Sequence, residues 1–154
     1  MSELKERIQS LVKAFGSEVG LKDLCLDDDG FCAMSINDVM VGVELDEEGN
    51  RLLWYAMIGN VPQNCRMEFY ERLLDANHFW NRTFGATLSV EKGTGLVTLA
   101  YSLPTELVSL DSIVKVTANF SEAAGLWVAC VLGFEGEKET IPSNADSSSL
   151  KTFA

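Results

Sequence analysis

Val39-Met-Val-Gly-Val-Glu-Leu45, Asp46-Glu-Glu-Gly-Asn50 and Leu52-Leu-Trp-Tyr-Ala-Met-Ile58 follow one another, and their reading decides the fold. In the first run Val39, Val41, Val43 and Leu45 fall on alternate positions, so a strand puts all four on one face. The acidic run is a turn, because Asp bonds its own backbone and Gly supplies positive φ. The third run is almost wholly apolar, which predicts a strand covered on both faces. Upstream, Phe31 to Ile36 alternates as well and is preceded by a second acidic turn, Asp27-Asp-Asp-Gly30. Three antiparallel strands joined by tight turns make a meander.

Working outward, residues 2–15 carry Leu4, Ile8, Leu11, Val12 and Phe15 on one helical stripe. Ser2 suits the N-cap, and Gly16 and Gly20 end the helix. Leu24-Cys-Leu26 is a short apolar run between helix and meander. On the other side, Pro62-Gln-Asn64 punctuates the chain, and residues 65–82 read as a second helix. Its broad face holds Phe69, Tyr70, Leu73, Leu74, Asn77 and Trp80, and Gly85 stops it. Ala86–Val90 and Leu96–Leu103 read as a hairpin around Glu91-Lys-Gly-Thr-Gly95, with Pro104 ending the second strand. A last helix over 109–132 has the stripe Ile113, Thr117, Phe120, Ala124, Trp127 and Val131. After Glu135 the composition turns polar, so the chain divides into a domain over 1–135 and a disordered polar tail over 136–154. The order is αβββαββα: an α+β fold with three helices and a mainly antiparallel, twisted sheet.

The chain has 154 residues, with 12 Lys and Arg against 23 Asp and Glu, a net charge of -11. That length suits one domain, and 47% hydrophobic content excludes a disordered chain. The charge speaks against nucleic acid, whose binding rests on Lys and Arg neutralising phosphates, and against anionic membrane surfaces. The mixed charges of Met1-Ser-Glu-Leu-Lys-Glu-Arg7 do not resemble a signal peptide. The longest apolar stretch, Gly125 to Phe134, is half of a membrane span. A soluble, cytoplasmic protein is expected, with Cys25, Cys32, Cys65 and Cys130 reduced; Cys25, Cys32 and Cys130 read as small core residues.

Chemistry is hard to find. A calcium loop aligned on Asp27, Asp29 and Gly30 puts Cys25 at its first position and Ile36 at its twelfth, both wrong. His78 is the only histidine, and no spacing pairs it with Cys65 as base and nucleophile. Gly93-x-Gly95 lacks the rest of a phosphate loop. Asn81-Arg-Thr83 fits a glycosylation sequon, which a cytosolic helix does not use. No catalytic residue, metal or cofactor is assigned. What remains is surplus apolar surface: a second helix apolar most of the way round must be covered on two sides, either by ordinary core packing of its aromatics or at an isologous homodimer seam.

Several short motifs, in order, resemble one family. Gly20-Leu-Lys-Asp-Leu24 with the turn at 27–30 resembles its first strand and hairpin. Leu73-Leu-Asp-Ala-Asn77 resembles its Leu-Leu-x-Ala-Asn signature. Gly85-Ala-Thr-Leu-Ser89, Gly95, Leu103-Pro104, and a last helix with Phe120 and Trp127 follow. Over about residues 3 to 132 the chain resembles class I type III secretion chaperones, the Tir-chaperone (CesT-like) family. The resemblance implies a non-enzymatic bacterial cytoplasmic homodimer that holds the N-terminal segment of a secreted effector extended and delivers it to the secretion apparatus, with the secretion ATPase as a further partner. It implies a dimer interface at Leu73, Leu74, Asn77, Trp80, Ala86, Leu88 and Val90. It implies effector contacts at Ile8, Leu11, Val12 and Phe15, and at Phe31, Ala33, Val41 and Val43, the strand face left open. A regulatory adaptor on the same fold, or a small hydrolase using His78, are the competing readings.

Overall fold

Antiparallel pairing of the meander sets the frame. The computed structural model describes residues 1–136. Among them, β1 (Phe31–Ile36), β2 (Val39–Asp46) and β3 (Arg51–Asn60) pair in sequence, with Cys32 opposite Val43 and Gly42 opposite Tyr55. β4 (Thr87–Val90) and β5 (Leu96–Pro104) form the hairpin, and β5 inserts beside β3. The order is therefore β1-β2-β3-β5-β4, every pair antiparallel, with β1 and β4 at the edges. Three helices, α1 (Glu3–Val19), α2 (Arg66–Asn77) and α3 (Leu110–Gly136), complete the expected order. The expected tail falls, apart from Gly136, outside the described residues.

One sheet face makes the core with α1 and α3. Val39, Val41, Val43 and Leu45 point into it, as do Leu52, Trp54, Ala56 and Ile58, against Ile8, Val12 and Phe15 of α1 and Ile113, Phe120, Ala124 and Trp127 of α3. Trp54 is fully buried, and its indole N–H donates to the buried Thr117 hydroxyl at 3.0 Å, which ties β3 to α3. α2 packs through Phe69, Leu73 and Ala76, with Phe69 edge-on to Phe134 at 5.2 Å.

Three stretches differ from the expectation, besides shifts of a few residues at other element ends such as the running on of α3 to Gly136. α1 runs past Gly16 to Val19, because Gly20 rather than Gly16 takes the left-handed cap. Gly16 is needed for a different reason: a Cβ there would meet Leu21 O and Leu24 Cβ at 2.8 Å. Gly20–Leu24, which resembles a first strand in sequence, is no strand, nor is the apolar run after it; the Gln9 amide satisfies both backbone groups of Leu26, at 2.6 and 3.2 Å. α2 stops at Asn77, and Phe79 and Trp80 turn left-handed with φ of 53° and 52°. A fourth correction concerns α3. Over Leu110–Phe134 it is long and apolar enough to cross a bilayer by length and composition alone, because Thr, Ser, Ala and Gly fill the gaps in its stripe. Here that stripe packs on the sheet.

Candidate binding surfaces

The apolar stripe of α1 is spent on the protein's own core. Ile8, Val12 and Phe15 are buried, and Leu11 is half-buried against the same cluster. Val41 and Val43 are buried too, on the inner face of the sheet. Phe31 and Ala33 lie on the outer face. The register explains the split: Cys32 opposes Val43 and Met34 opposes Val41, so Phe31 and Ala33 cannot share a face with those valines. Ile8, Val12, Phe15, Val41 and Val43 are therefore core residues, unable to touch an effector without unpacking the domain.

Exposed apolar groups of the sheet sit on its outer face. Met40 and Met57 are 62% and 69% exposed, and Phe31, Leu53 and Tyr55 are half-buried among them. Gly42 lets this surface form. A Cβ at that position would stand 2.9 Å from Tyr55 Cε2 and 3.0 Å from Phe31 Cε2, so the two rings reach over bare backbone from either side. They lie near-parallel, 23° apart, with centroids at 6.1 Å. The Tyr55 hydroxyl donates to Glu44 Oε2 at 3.3 Å. Partial burial, and then the Glu44 charge, push the Tyr55 phenol above its ordinary value. The sequence offered a signal for Met40, Tyr55 and Met57: they are large apolar residues out of phase with the inward alternation.

The two sheet edges are unlike. At β4 the Asn77 side chain accepts from Leu88 N–H at 2.8 Å and donates to Leu88 C=O at 2.9 Å. One carboxamide thus closes the middle of a four-residue strand. At β1 the turn covers only the first residue: Asp27 N–H donates to Phe31 C=O, and Asp27 Oδ1 accepts from Phe31 N–H. These bonds show that Phe31 turns its backbone groups outward, and alternation puts those of Ala33 and Ser35 there as well. Among the described residues nothing bonds to them.

A groove of about 630 Å³ runs between α2 and the edge of β4, lined by Tyr70, Leu74, Asn77, Ser89 and Val90 among others. Of the expected interface residues, Leu73, Ala86 and Leu88 are buried within the chain. Asn77 is engaged on Leu88, and Val90 is half-buried. Leu74 and Trp80 are 69% and 49% exposed, in company with Met67, Phe79 and Phe84. Phe79, Trp80 and Phe84 all have positive φ, a strained state for aromatic residues. Trp127 fixes the base of this loop by donating to Arg82 C=O at 3.0 Å. Inside it, Asn81 Oδ1 and Thr83 Oγ1 are buried without a hydrogen-bond partner among the described residues.

The cysteines divide by burial. Cys32 is in the core, as expected, and its thiol is pushed up to about 11, first by burial and then by Cys25 and Asp27. Cys25 is exposed, not a core residue, and Cys130 is half-buried. His78 is exposed, its ring edge-on to Phe79 at 4.6 Å.

The model of the Tir chaperone protein (CesT) family matches residues 10–127. The fold is similar to that of the ExsC-ExsE complex, at 24% identity, with 84% of this chain and 97% of that one covered and a TM-score of 0.71. It is similar to the HopA1-SchA chaperone-effector complex, at 19% identity, 84% and 98% coverage and a TM-score of 0.69. It is also similar to the Yersinia pestis type III secretion chaperone SycH in complex with a fragment of YscM2, at 19% identity, 77% and 98% coverage and a TM-score of 0.61. At these identities the likeness is one of fold. No curated protein matches the chain.

Proposed function

The chain belongs to the Tir chaperone protein (CesT) family, and from that premise we propose that it works as a type III secretion chaperone whose effector contact is the open edge of β1 and the outer face beside it. The observation that carries this reading is the contrast between the edges: at β4 Asn77 holds both backbone groups of Leu88 in mid-strand, while β1 presents Ala33 and Ser35 with no such clasp among the described residues. The N-terminal segment of an effector adds a strand there, gaining main-chain hydrogen bonds while alternate side chains settle on Phe31, Ala33, Met40 and Tyr55. Ordering such a segment costs ~2–5 kcal/mol or more, so it must cover much surface. A second copy of the chain supplies the rest, joined through Leu74, Trp80 and their aromatic neighbours. The role is a binding one, exercised in the bacterial cytoplasm, and calls for no cofactor.

Native mass spectrometry of a tagged copy purified from its own host tests this. The expected species is two copies of this chain with one larger protein, held through that protein's N-terminal region and cut by protease elsewhere. A monomer at micromolar concentration, or a partner bound as an intact globular domain, overturns the reading.

A further inference from the structure

The outer face of the sheet carries one charge that the fold leaves uncompensated. Asp46, at the end of β2, is paired with Arg51 at 2.8 Å. Glu44 is not: among the described residues no Lys or Arg pairs with it, and its one partner is the neutral Tyr55 hydroxyl. It stands directly opposite Phe31 in the β1–β2 register and beside Leu53 on β3, with the Asp46–Arg51 pair next along the same face. A carboxylate beside aromatic rings is a favourable place to receive a cation.

We propose that Glu44, with the Phe31–Tyr55 ring pair over Gly42, is a subsite for an arginine or lysine side chain of the bound segment. The inference rests on the sheet-face reading above and adds a chemical preference to it. A guanidinium suits the geometry best. Its flat faces stack on rings, and its edge forks onto a carboxylate. The Tyr55 hydroxyl already orients one Glu44 oxygen, which leaves the other to accept. Asp27, whose carboxylate also raises the Tyr55 phenol, adds negative potential from the β1 side. A strand added at Ala33 and Ser35 stops beside Phe31, whose outward groups Asp27 holds, and Glu44 lies one strand further in, opposite Phe31. A long basic side chain crosses the Phe31 ring to span that gap; a short polar one does not. The subsite therefore reads charge and length together, and sets the register of an otherwise sequence-tolerant main-chain contact.

The test uses a random peptide library displayed on phage and panned on the full chain. Peptides enriched on the wild type are expected to carry one basic residue within an alternating apolar pattern. A synthetic copy of the best peptide, and a twin with citrulline in place of that arginine, are then titrated by fluorescence anisotropy. The arginine peptide binds the wild type about tenfold tighter than its twin. The Glu44→Gln protein, checked by circular dichroism, binds both alike. Phe31→Leu, which keeps the carboxylate, narrows the gap to about threefold. Equal affinity of the two peptides for the wild type overturns the subsite and leaves the sheet-face reading standing. Enrichment of no peptide at all overturns both.

Discussion

Two carboxamides, Gln9 and Asn77, do for single residues what a neighbouring strand does for a whole edge. Each accepts from the N–H and donates to the C=O of one residue, Leu26 and Leu88. Truncating Asn77 to Ala strands both groups of a buried residue, so urea unfolding is expected to show a loss of about 1–3 kcal/mol. Asn77→Asp is expected to be no better, since a carboxylate cannot donate to Leu88 C=O. An unchanged midpoint in both would remove the clasp from the stability of the edge. Neither contact was legible in the sequence. The sequence puts Asn77 on the broad face of a helix read to residue 82, and its partner is fixed only once β4 has turned back. Cys32 was legible as a small buried residue, and its burial has a consequence in base. The folded thiol keeps its proton to about 11, whereas the unfolded one loses it near 8.5. Its contribution is therefore whole below about 8.5 and lost as pH rises toward 11. Unfolding midpoints of the wild type are expected to fall across that window more steeply than those of Cys32→Ala. Parallel curves would show that the thiol does not titrate with folding.

At the scale of elements, the periodicities named the strands and helices but not what each face meets. The α1 stripe reads equally as a core face or a docking face. A domain with a single sheet has little else to cover that sheet, and the structure spends the stripe there. Phe15→Asp is thus expected to unfold the domain, at a cost of about 3 kcal/mol or more, rather than weaken effector binding selectively. A folded Phe15→Asp protein by circular dichroism would contradict that placement. β1 is the reverse case: its Phe31 and Ala33 face outward, yet its alternation alone could not say which parity did so. The β1–β2 register decides it. Because Ala33 turns its N–H to the free edge, Ala33→Pro removes a donor that the fold does not use, and edge strands tolerate proline there. It is expected to unfold within about 1 kcal/mol of wild type and to bind the effector segment, or the enriched peptide, at least about tenfold more weakly. Undiminished affinity would move the contact off the β1 edge. The end of α2 escaped the sequence because Phe79 and Trp80 have no aversion to helix. What stops the helix is tertiary: Asn77 is committed to Leu88, and Trp127 holds Arg82.

For the whole molecule, the proposed dimer and the proposed effector contact respond in opposite ways to the same charge. Leu74, Trp80 and Phe84 stand exposed. The two chains they would join each carry a net charge of -11. Apolar burial favours association and like charge opposes it, so screening by salt should tighten the dimer. A basic segment drawn to Glu44 is held by opposite charge, so the same salt should loosen it. Sedimentation velocity across a series from low to physiological ionic strength is expected to show the dimer fraction rising, while anisotropy shows the arginine peptide released. Leu74→Asp tests the seam within the same experiment. At 69% exposure the side chain adds little to the monomer core, so its circular dichroism should match wild type. The variant should sediment as a monomer at every salt concentration, because it removes an apolar contact and adds a charge to each side of a two-fold interface. A Leu74→Asp dimer as tight as wild type would place the interface elsewhere. A wild-type dimer that weakens with salt would mean that charge pairs, not the exposed aromatic groups around α2, hold the two chains together.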